Sequence, residues 1–253
     1  MRELETLPRA ALITGGAKRI GRALVDALRA EGWRVALHYR SETPELAGLD
    51  TPLLQADLRQ EAEVQTLIDR ARDAVGPLGL LVNNASAFTY DSWQSADRES
   101  WDQHMEINLR APFLLSQGFA RQLPQDAQGL IVNLLDQRVW NLTQHFMTYT
   151  LSKAALWTLT QTLALALAPR IRVNGIAPGP TLPSSRQSDA SFSAQVKGTA
   201  LERAANPEDI ATALRFLINA RATTGVMLPV DAGQHLNWAP VSPQQNADAA
   251  ASE

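Results

Sequence analysis

The sequence predicts one α/β domain built on a doubly wound sheet of seven parallel strands. Short leucine-rich or β-branched segments alternate along the chain with longer helical patterns, the rhythm of parallel strands covered by helices on both faces. A length of 253 residues suits one large core. A glycine-containing turn, TGGAKRIG, stands between the first strand and the first helix, so the predicted fold is Rossmann-like.

Strands and helices follow one another in a regular order. The predicted strands are ALIT (11–14), RVALHY (34–39), PLLQAD (52–57), LGLLVNN (78–84), GLIVNLL (129–135), IRVNGIA (171–177) and VMLPVD (226–231). The predicted helices are 20–31, 61–75, 100–123, 148–168 and a last one capped by Asn206, with Pro207 at its first position and Glu208 and Asp209 in its first turn.

The end of the chain and one internal segment differ from this pattern. Residues 180–199 are rich in Ser, Pro and Gln and too long for an ordinary connection, so a substrate-covering loop is expected there. After Trp238 the chain is polar, and we expect a domain over 1–238 followed by a disordered tail over 239–253.

Composition excludes several classes of function. The chain has 23 basic and 26 acidic residues, a net charge of −3 and no basic block, which argues against nucleic acid or membrane partners. It has no cysteine, and its four histidines share no metal-ligand spacing, so no metal site is expected. The N-terminus lacks an apolar signal core and the longest apolar stretch, near 163–168, is short. A soluble cytoplasmic protein is the expectation.

The turn after the first strand has the spacing T-G-x-x-x-R-x-G, with Gly15, Arg19 and Gly21. Glycines let the backbone approach a ligand, and the following helix N-terminus offers unpaired N–H groups to a phosphate. The alternative is that these glycines only turn the chain. An arginine in place of the usual middle glycine needs a separate explanation.

About twenty residues beyond the turn, NAD-preferring folds carry an acidic residue for the ribose 2′-hydroxyl. Here the residues are His38, Tyr39, Arg40 and Ser41. A guanidinium and a hydroxyl suit a 2′-phosphate, so NADP(H) is favoured over NAD(H), unless Arg40 is an ordinary solvated charge. Asp57, at the end of the third strand, either bonds the adenine amino group or caps the next helix.

Tyr149 and Lys153 are four residues apart on a predicted helix and therefore share one face. A neighbouring ammonium favours the phenolate and would move the phenol's pKa of about 10 toward neutrality. A lone Y-x-x-x-K is common on helix surfaces, but Asp136 follows the apolar fifth strand, and ligands of open parallel sheets bind at strand carboxyl ends. Asp136 is otherwise a helix or loop cap.

These motifs together resemble the short-chain dehydrogenase/reductase family over almost the whole chain. The motifs are TGGAKRIG, NNAS (83–86), Asn108 in INLRAPFLL, YTLSK (149–153), IRVNGIAPG (171–179) and LPVDAG (228–233). Within the family, Arg19, the stretch H-Y-R-S, NNASxF and aspartate rather than serine at 136 resemble the pteridine reductases, including dihydromonapterin reductases.

The resemblance implies reduction of a pterin C=N bond with hydride from NADPH. It implies that Tyr149 gives the proton, that Asp136 relays one if burial raises its pKa, and that Lys153 bonds the nicotinamide ribose. Asn108 would hold a water next to Lys153. Arg19 would contact both the cofactor pyrophosphate and the pterin, which explains the arginine in the turn. A serine at 136 could not act as an acid.

The resemblance also assigns residues to the pocket. Phe88 matches the family's stacking phenylalanine, although by composition alone a phenylalanine after a strand is more often a core residue. Trp140 either lines the pocket or packs in the interior. Substrate residues are expected to be Arg19, Ser86, Phe88, Asp136 and Tyr149. Cofactor residues are expected to be Gly15, Lys18, Arg19, Ile20, Gly21, His38, Tyr39, Arg40, Ser41, Asp57, Leu58, Asn84, Ala85, Ser86, Tyr149, Lys153, Pro178, Gly179 and Thr181.

Two other functions compete with a pteridine reductase. One is a general carbonyl reductase, for example on 3-oxoacyl thioesters, and the other is a catalytically idle NADP(H)-binding regulator. The family resemblance also suggests a homotetramer with the helices near 100–123 and 148–168 at an interface.

Overall fold

A computed structural model of the chain describes residues 7–183 and 187–236. One sheet contains seven parallel strands in the order β3-β2-β1-β4-β5-β6-β7. The strands are β1 (Ala10–Ile13), β2 (Arg34–Tyr39), β3 (Leu53–Gln55), β4 (Leu80–Asn83), β5 (Gly129–Leu134), β6 (Ile171–Pro178) and β7 (Met227–Val230). The predicted fold class is confirmed.

Helices cover both faces of this sheet. In the described ranges they are α1 (Arg19–Ala30), α2 (Glu61–Val75), α3 (Arg98–Met105), α4 (Ala111–Gln122), α5 (Met147–Leu167), α6 (Asp189–Lys197) and α7 (Pro207–Asn219). No helix in these ranges combines the length and apolar character that a bilayer-crossing segment needs.

The core consists of two main clusters, one on each face of the sheet. One holds Leu12 and Phe119, against α2 and α4, and the other holds Ile13, Leu24 and Ile210, against α1 and α7. Strands buried on both faces need apolar residues at successive positions rather than alternate ones. This is why β1 is an uninterrupted apolar run and why β4 and β5 are apolar apart from Asn83 and Asn133, which hydrogen-bond to each other.

All seven predicted strands are present, with ends that move by up to a few residues. The predicted helix capped by Asn206 is confirmed, because the Asn206 side chain accepts the N–H of Asp209 and the Asp209 carboxylate accepts the N–H of Asn206. The helix predicted over 100–123 is divided into α3 and α4 by a π-helical turn, Glu106–Arg110, which contains Asn108. Such turns are frequent at functional sites.

The segment 180–199 is not a loop throughout, which corrects the sequence-based expectation. It contains α6, whose N-terminus is capped by the Ser188 side chain accepting the N–H of Ser191. None of the residues of α6 is buried, so the helix leaves no apolar stripe in the sequence that could have predicted it. The expected tail 239–253 lies outside the described residues.

The order of the strands places a crevice at one edge of the sheet. β1 pairs with β2 on one side and with β4 on the other. The chain therefore extends the sheet to one side of β1 through β2 and β3 and to the other side through β4 to β7. In open α/β sheets ligands bind outside the carboxyl ends of the strands at this point. The turn after β1 and the segments after β4 and β5 therefore converge on one site.

Candidate active site

The turn after β1 is built for close backbone approach. Gly15 has a φ of +64°, a conformation that favours glycine. A Cβ on Gly21 would lie 2.2 Å from the Gly15 carbonyl oxygen and 2.6 Å from Nδ2 of Asn84. Asn84 Nδ2 donates to the carbonyls of Thr14 and Gly15 over 2.8 and 3.0 Å. The turn and the predicted motif NNAS thus form one unit.

His38 holds the same turn in place through hydrogen bonds to the backbone. It is buried, its Nδ1 accepts the N–H of Gly15 at 3.1 Å, and its Nε2 donates to the Ala56 carbonyl at 3.0 Å. Burial lowers the pKa of His38, which favours this neutral ring. Both ring nitrogens are occupied by backbone groups, so the side chain shapes the turn, and a direct contact with a cofactor would require one of these bonds to break.

Arg19 occupies an unusual position at the start of α1. Its φ is +56°, a left-handed conformation that is uncommon for arginine and is found at functional sites. Its guanidinium donates to the carbonyls of Leu182 and Pro183, both at 3.0 Å. The sequence suggested a pyrophosphate and a pterin as its partners. In this structure Arg19 instead joins the glycine turn to the chain that follows β6.

The end of β2 presents groups suited to a phosphate. Arg40, Ser41 and Lys18 are exposed, and within the described residues their side chains form no hydrogen bond or ion pair. Tyr39 is buried and donates from its hydroxyl to Glu42 at 2.7 Å. Arg40 and Ser41 therefore present a guanidinium and a hydroxyl where a 2′-phosphate was expected, with the Asp57 carboxylate close enough to interact with the Arg40 charge, while Lys18 stands at the start of α1.

Asp57 is engaged with a neighbouring arginine. Its carboxylate accepts the N–H of Arg59 at 3.0 Å and pairs with the Arg59 guanidinium, whose hydrogen bonds lower the pKa of Asp57. The carboxylate thus bonds within the turn before α2 and does not cap the helix, whose N-cap position is Gln60, so the expected capping role is not seen. The next residue, Leu58, is buried.

Asp136 and Tyr149 form the central contact of the site. The Tyr149 hydroxyl donates to Oδ2 of Asp136 at 2.8 Å, while Oδ1 of Asp136 accepts the N–H of Arg138 at 2.8 Å. The carboxylate is half-buried at the end of β5. Asp136 therefore both caps the turn that follows and bonds the phenol. The sequence had left these two roles, a cap and a member of the reacting site, as alternatives.

The pKa of Tyr149 moves in the direction opposite to the sequence-based expectation. Burial of the phenol and the adjacent Asp136 carboxylate raise this pKa well above 10. Both effects disfavour the phenolate, because a buried anion loses hydration and a second negative charge lies close by. The Tyr149 phenol is therefore protonated at neutral pH, and the cation that opposes this rise in pKa is Arg138 rather than Lys153.

Lys153 lies one turn further along α5. Its buried ammonium donates to the Leu134 carbonyl at 2.7 Å and lies 5.8 Å from the centre of the Tyr149 ring. Burial lowers its pKa to about 8, and the Asp136 carboxylate opposes that shift. α5 thus places the Lys153 ammonium beside the phenol, as the spacing predicted. The ammonium, however, donates its hydrogen bond to the Leu134 carbonyl of β5 and not to the phenol.

Asn108 is fully buried in the π-helical turn. Its Oδ1 accepts the N–H of Ala87 at 2.8 Å and the hydroxyl of Ser86 at 3.1 Å, and its Nδ2 donates to the Ala87 carbonyl and to Ser152 Oγ. An amide has capacity for about these four bonds. The expected role of holding a water with this side chain would require one of them to be given up.

Phe88 lies between two other rings at the mouth of the site. It is 47% exposed, which excludes a core role. Its ring stacks on Phe146 with centroids 4.5 Å apart and planes 8° apart, and it meets Tyr149 edge-on at 4.7 Å. One face of Phe88 is covered by Phe146, and the ring as a whole lies next to Tyr149.

The remaining predicted residues surround this cluster. The Thr181 hydroxyl donates to the Gly179 carbonyl at 3.0 Å, and a Cβ on Gly179 would lie 2.6 Å from Asp231, so the chain after Pro178 is tightly fitted. Trp140 is 46% exposed and packs edge-on against Trp157. Ala85 donates its N–H to Thr14 Oγ1, and Ile20 is half-buried in the first turn of α1.

Some residues of the site were not singled out from the sequence. Asp91, which is buried, accepts the N–H and hydroxyl of Thr148, and the Thr148 hydroxyl accepts Nδ1–H of buried His104 at 2.6 Å. This network fixes the start of α5, one residue before Tyr149. Asp91 is 57 residues from Thr148 in sequence, so no local spacing indicated the contact.

Comparison with known proteins agrees with this geometry. A family model described as enoyl-(acyl carrier protein) reductase matches residues 15–235. Among solved structures, FolM alternative dihydrofolate reductase 1 from Brucella suis in complex with NADP is 44% identical, with a TM-score of 0.86 over 93% of this chain and 97% of that one.

Curated relatives have more varied activities. L-xylulose reductase from Bos taurus is 35% identical over 91% of this chain and 98% of its own length. Dihydromonapterin reductase from Escherichia coli is 29% identical over 92% of this chain and 99% of its own length, in line with the resemblance stated from the sequence. The fold, the glycine turn, the Tyr149–Lys153 helix and these matches lead to one conclusion. The chain belongs to the short-chain dehydrogenase/reductase family of oxidoreductases.

Proposed function

We propose that this protein is an NADPH-dependent pteridine reductase, which reduces a C=N bond of dihydropterins and of oxidised pterins. The observation that carries the proposal is the 2.8 Å hydrogen bond between the phenol of Tyr149 and the carboxylate of Asp136. Reduction of C=N adds hydride to carbon and a proton to nitrogen. A protonated phenol backed by a carboxylate that reaches solvent suits the second of these additions.

The residues present fit NADP(H) in two respects. The carbonyl of Gly15 lies 2.2 Å from where a Cβ on Gly21 would be, so the glycine turn packs directly on the N-terminus of α1, whose N–H groups suit a phosphate. Exposed Arg40 and Ser41 stand at the end of β2, where a 2′-phosphate would lie, and their side chains form no hydrogen bond or ion pair with the described residues. When bound, NADPH supplies the hydride.

The chain's own residues would move the proton. Tyr149 is protonated at neutral pH and would give its proton to the substrate nitrogen as negative charge develops there. A proton that reaches half-buried Asp136 from solvent could then pass across the same hydrogen bond to restore the phenol. Lys153 places positive charge beside the ring, which stabilises the transient phenolate.

Phe88 and Ser86 would bind the substrate. Flat heteroaromatic rings stack favourably on a phenylalanine whose plane is fixed, and Phe88 offers such a ring beside Tyr149. The exposed Ser86 hydroxyl adds a polar group at the same rim. Arg19 remains a proposed contact of both the pyrophosphate and the pterin edge, provided that it exchanges its bonds to Leu182 and Pro183.

Sequence similarity supports this proposal and also favours one alternative. The names of the Brucella suis and Escherichia coli proteins refer to dihydrofolate and dihydromonapterin reduction. The L-xylulose reductase match favours a carbonyl reductase, in which Tyr149 would protonate an alkoxide. A serine would then be expected to polarise the carbonyl, and the aspartate at 136 argues against this alternative.

An assay of NADPH oxidation separates the candidates. Purified protein is given dihydrobiopterin, dihydromonapterin, dihydrofolate or an acetoacetyl thioester. Turnover of a dihydropterin supports the proposal, turnover of the thioester alone supports a carbonyl reductase, and binding of NADPH without any turnover supports the idle regulator. The homotetramer and the cytoplasmic location stay predictions.

A further inference from the structure

A three-layer stack lies behind the proposed substrate position. The guanidinium of Arg138 lies 4.9 Å from the centre of the Phe146 ring, and Phe146 in turn stacks in parallel on Phe88 at 4.5 Å. Tyr90 meets Phe146 edge-on at 5.2 Å. Phe146 is thus enclosed on three sides, and Phe88 is the outermost layer, 47% exposed.

The backbone at Phe146 is held in an unusual conformation. Its φ of 57° and ψ of 51° lie in the left-handed region, which is rare for a bulky residue. The Phe146 N–H donates to the Asp91 carbonyl at 2.8 Å, and the Phe146 carbonyl accepts the N–H of Thr150 at 2.8 Å. These bonds keep the ring of Phe146 directly before the helix that carries Tyr149.

Arg138 connects the stack to the reacting groups. Its backbone N–H donates to Oδ1 of Asp136, and its guanidinium donates to Thr143 Oγ1 at 3.0 Å while covering the Phe146 ring. One residue therefore orients the carboxylate through its backbone and the aromatic stack through its side chain. The plane of Phe88 is in this way fixed relative to the Asp136–Tyr149 pair.

We propose that Phe146 and Arg138 are positioning residues that determine substrate specificity, because they fix the plane of Phe88 and so favour flat ring systems such as pterins. This inference rests on the proposed function. A Phe88 ring without this backing would turn among several rotamers, and binding a flat substrate would then carry an ordering cost. Affinity for the pterin should depend on the stack, while the chemical step should not depend on the Phe146 layer; the Arg138 charge also acts on the Tyr149 phenol, so the kcat criterion applies to the Phe146 variants.

The test uses four full-length variants. Phe146→Leu removes the middle layer, Phe146→Tyr retains an aromatic ring, and Arg138→Met removes the cationic layer. Phe216→Leu is the matched control, because this α7 residue is 55% exposed and makes no ring contact in the described part of the chain. For each we measure KM and kcat with dihydrobiopterin at saturating NADPH, and the Kd of oxidised biopterin by tryptophan fluorescence quenching.

We expect Phe146→Leu to raise the KM and the biopterin Kd about three- to tenfold, with kcat changed by less than about twofold. Arg138→Met is expected to raise both about two- to fivefold. Phe146→Tyr and Phe216→Leu are expected to match the wild type. If Phe146→Leu does not fold, the biopterin Kd of Arg138→Met, which lacks the cationic layer, is compared with that of Phe146→Tyr, which retains all three layers.

Three results would overturn the inference. They are an unchanged Kd in both Phe146→Leu and Arg138→Met, a loss confined to kcat, and a Phe146→Tyr variant as weak as Phe146→Leu. The proposed function fails separately, if the wild type binds biopterin but reduces no dihydropterin, and the Kd series then still decides the role of the stack. A wild type that binds no biopterin contradicts both.

Discussion

The Asp136 carboxylate accepts the phenol of Tyr149 through Oδ2 and the N–H of Arg138 through Oδ1, each at 2.8 Å. Because the second bond caps the turn after β5, the carboxylate is held in place before any ligand binds. The first bond then keeps the phenol protonated and oriented. The site is therefore organised as an acid at neutral pH, which is what addition of a proton to a ring nitrogen requires.

Removal of the Tyr149 hydroxyl tests the assignment of the acid. We expect Tyr149→Phe to lower kcat by about 10²- to 10⁴-fold, since it deletes the proton donor. The NADPH Kd should stay close to the wild-type value, because the glycine turn and Arg40 are unaltered. Steady-state kinetics and a fluorescence titration of NADPH measure the two quantities. Near-normal turnover would show that another group gives the proton.

The raised pKa of Tyr149 predicts a specific ultraviolet titration. The chain has three tyrosines, and subtraction of the Tyr149→Phe spectrum from the wild-type spectrum isolates this one. In the free enzyme we expect no phenolate absorbance from Tyr149 up to pH about 10, because burial and Asp136 both disfavour the anion. Phenolate formation near neutral pH would instead mean that Lys153 dominates.

Cofactor preference tests the phosphate site at the end of β2. Arg40→Asp is expected to weaken NADPH binding by about 10- to 100-fold, through loss of a charge-assisted bond and new repulsion, and to leave NADH binding nearly unchanged. Arg121→Asp is the matched control, because this exposed residue lies at the end of α4. The end of α4 leads into the start of β5, and so lies at the amino ends of the parallel strands, opposite the proposed cofactor site. An unaltered ratio of the two Kd values would exclude Arg40 from the 2′-phosphate site.

Buried Asp91 is expected to stabilise the start of α5. Asp91→Asn replaces a buried charged acceptor of the Thr148 N–H and hydroxyl, and we expect it to lower the free energy of unfolding by about 1–3 kcal/mol. Asp97→Asn is the control, since Asp97 caps α3 at an exposed position and Asn is an equally good cap. Urea unfolding measures the free energy of unfolding of both variants. An equal decrease in the two would show that the buried contact of Asp91 with Thr148 does not stabilise the protein more than the exposed cap does.

The sequence predicted most of the fold because buried strands and amphipathic helices leave strong local patterns. β2 and α2 have the predicted bounds, and the Asn206 cap was visible as Asn-Pro-Glu-Asp. It did not predict α6, which buries no residue, nor the π-helical turn around Asn108, because backbone register within a helix leaves no periodic signal.

The site was predictable only where function imposes a motif. Asp136, Tyr149 and Lys153 were identified from spacing and resemblance, and the structure brings them together. Phe146 and Asp91 were not, since their contacts with Phe88 and Thr148 join segments far apart in sequence. Arg138 was not either, because its contacts, although local, lie in an irregular segment with no periodic pattern. The predicted direction of the Tyr149 pKa was wrong for a physical reason: burial and the Asp136 carboxylate raise this pKa, and the opposing cation is the Arg138 guanidinium rather than the Lys153 ammonium.

The most direct test of the pteridine reductase proposal is the NADPH oxidation panel, run on the wild type and on Asp136→Ser in parallel. We expect the wild type to turn over at least one dihydropterin far faster than an acetoacetyl thioester. Asp136→Ser should lose about 10- to 100-fold of that activity, because a neutral hydroxyl replaces a charged acceptor. Failure of every dihydropterin, or an Asp136→Ser enzyme as active on pterins as the wild type, would contradict the account.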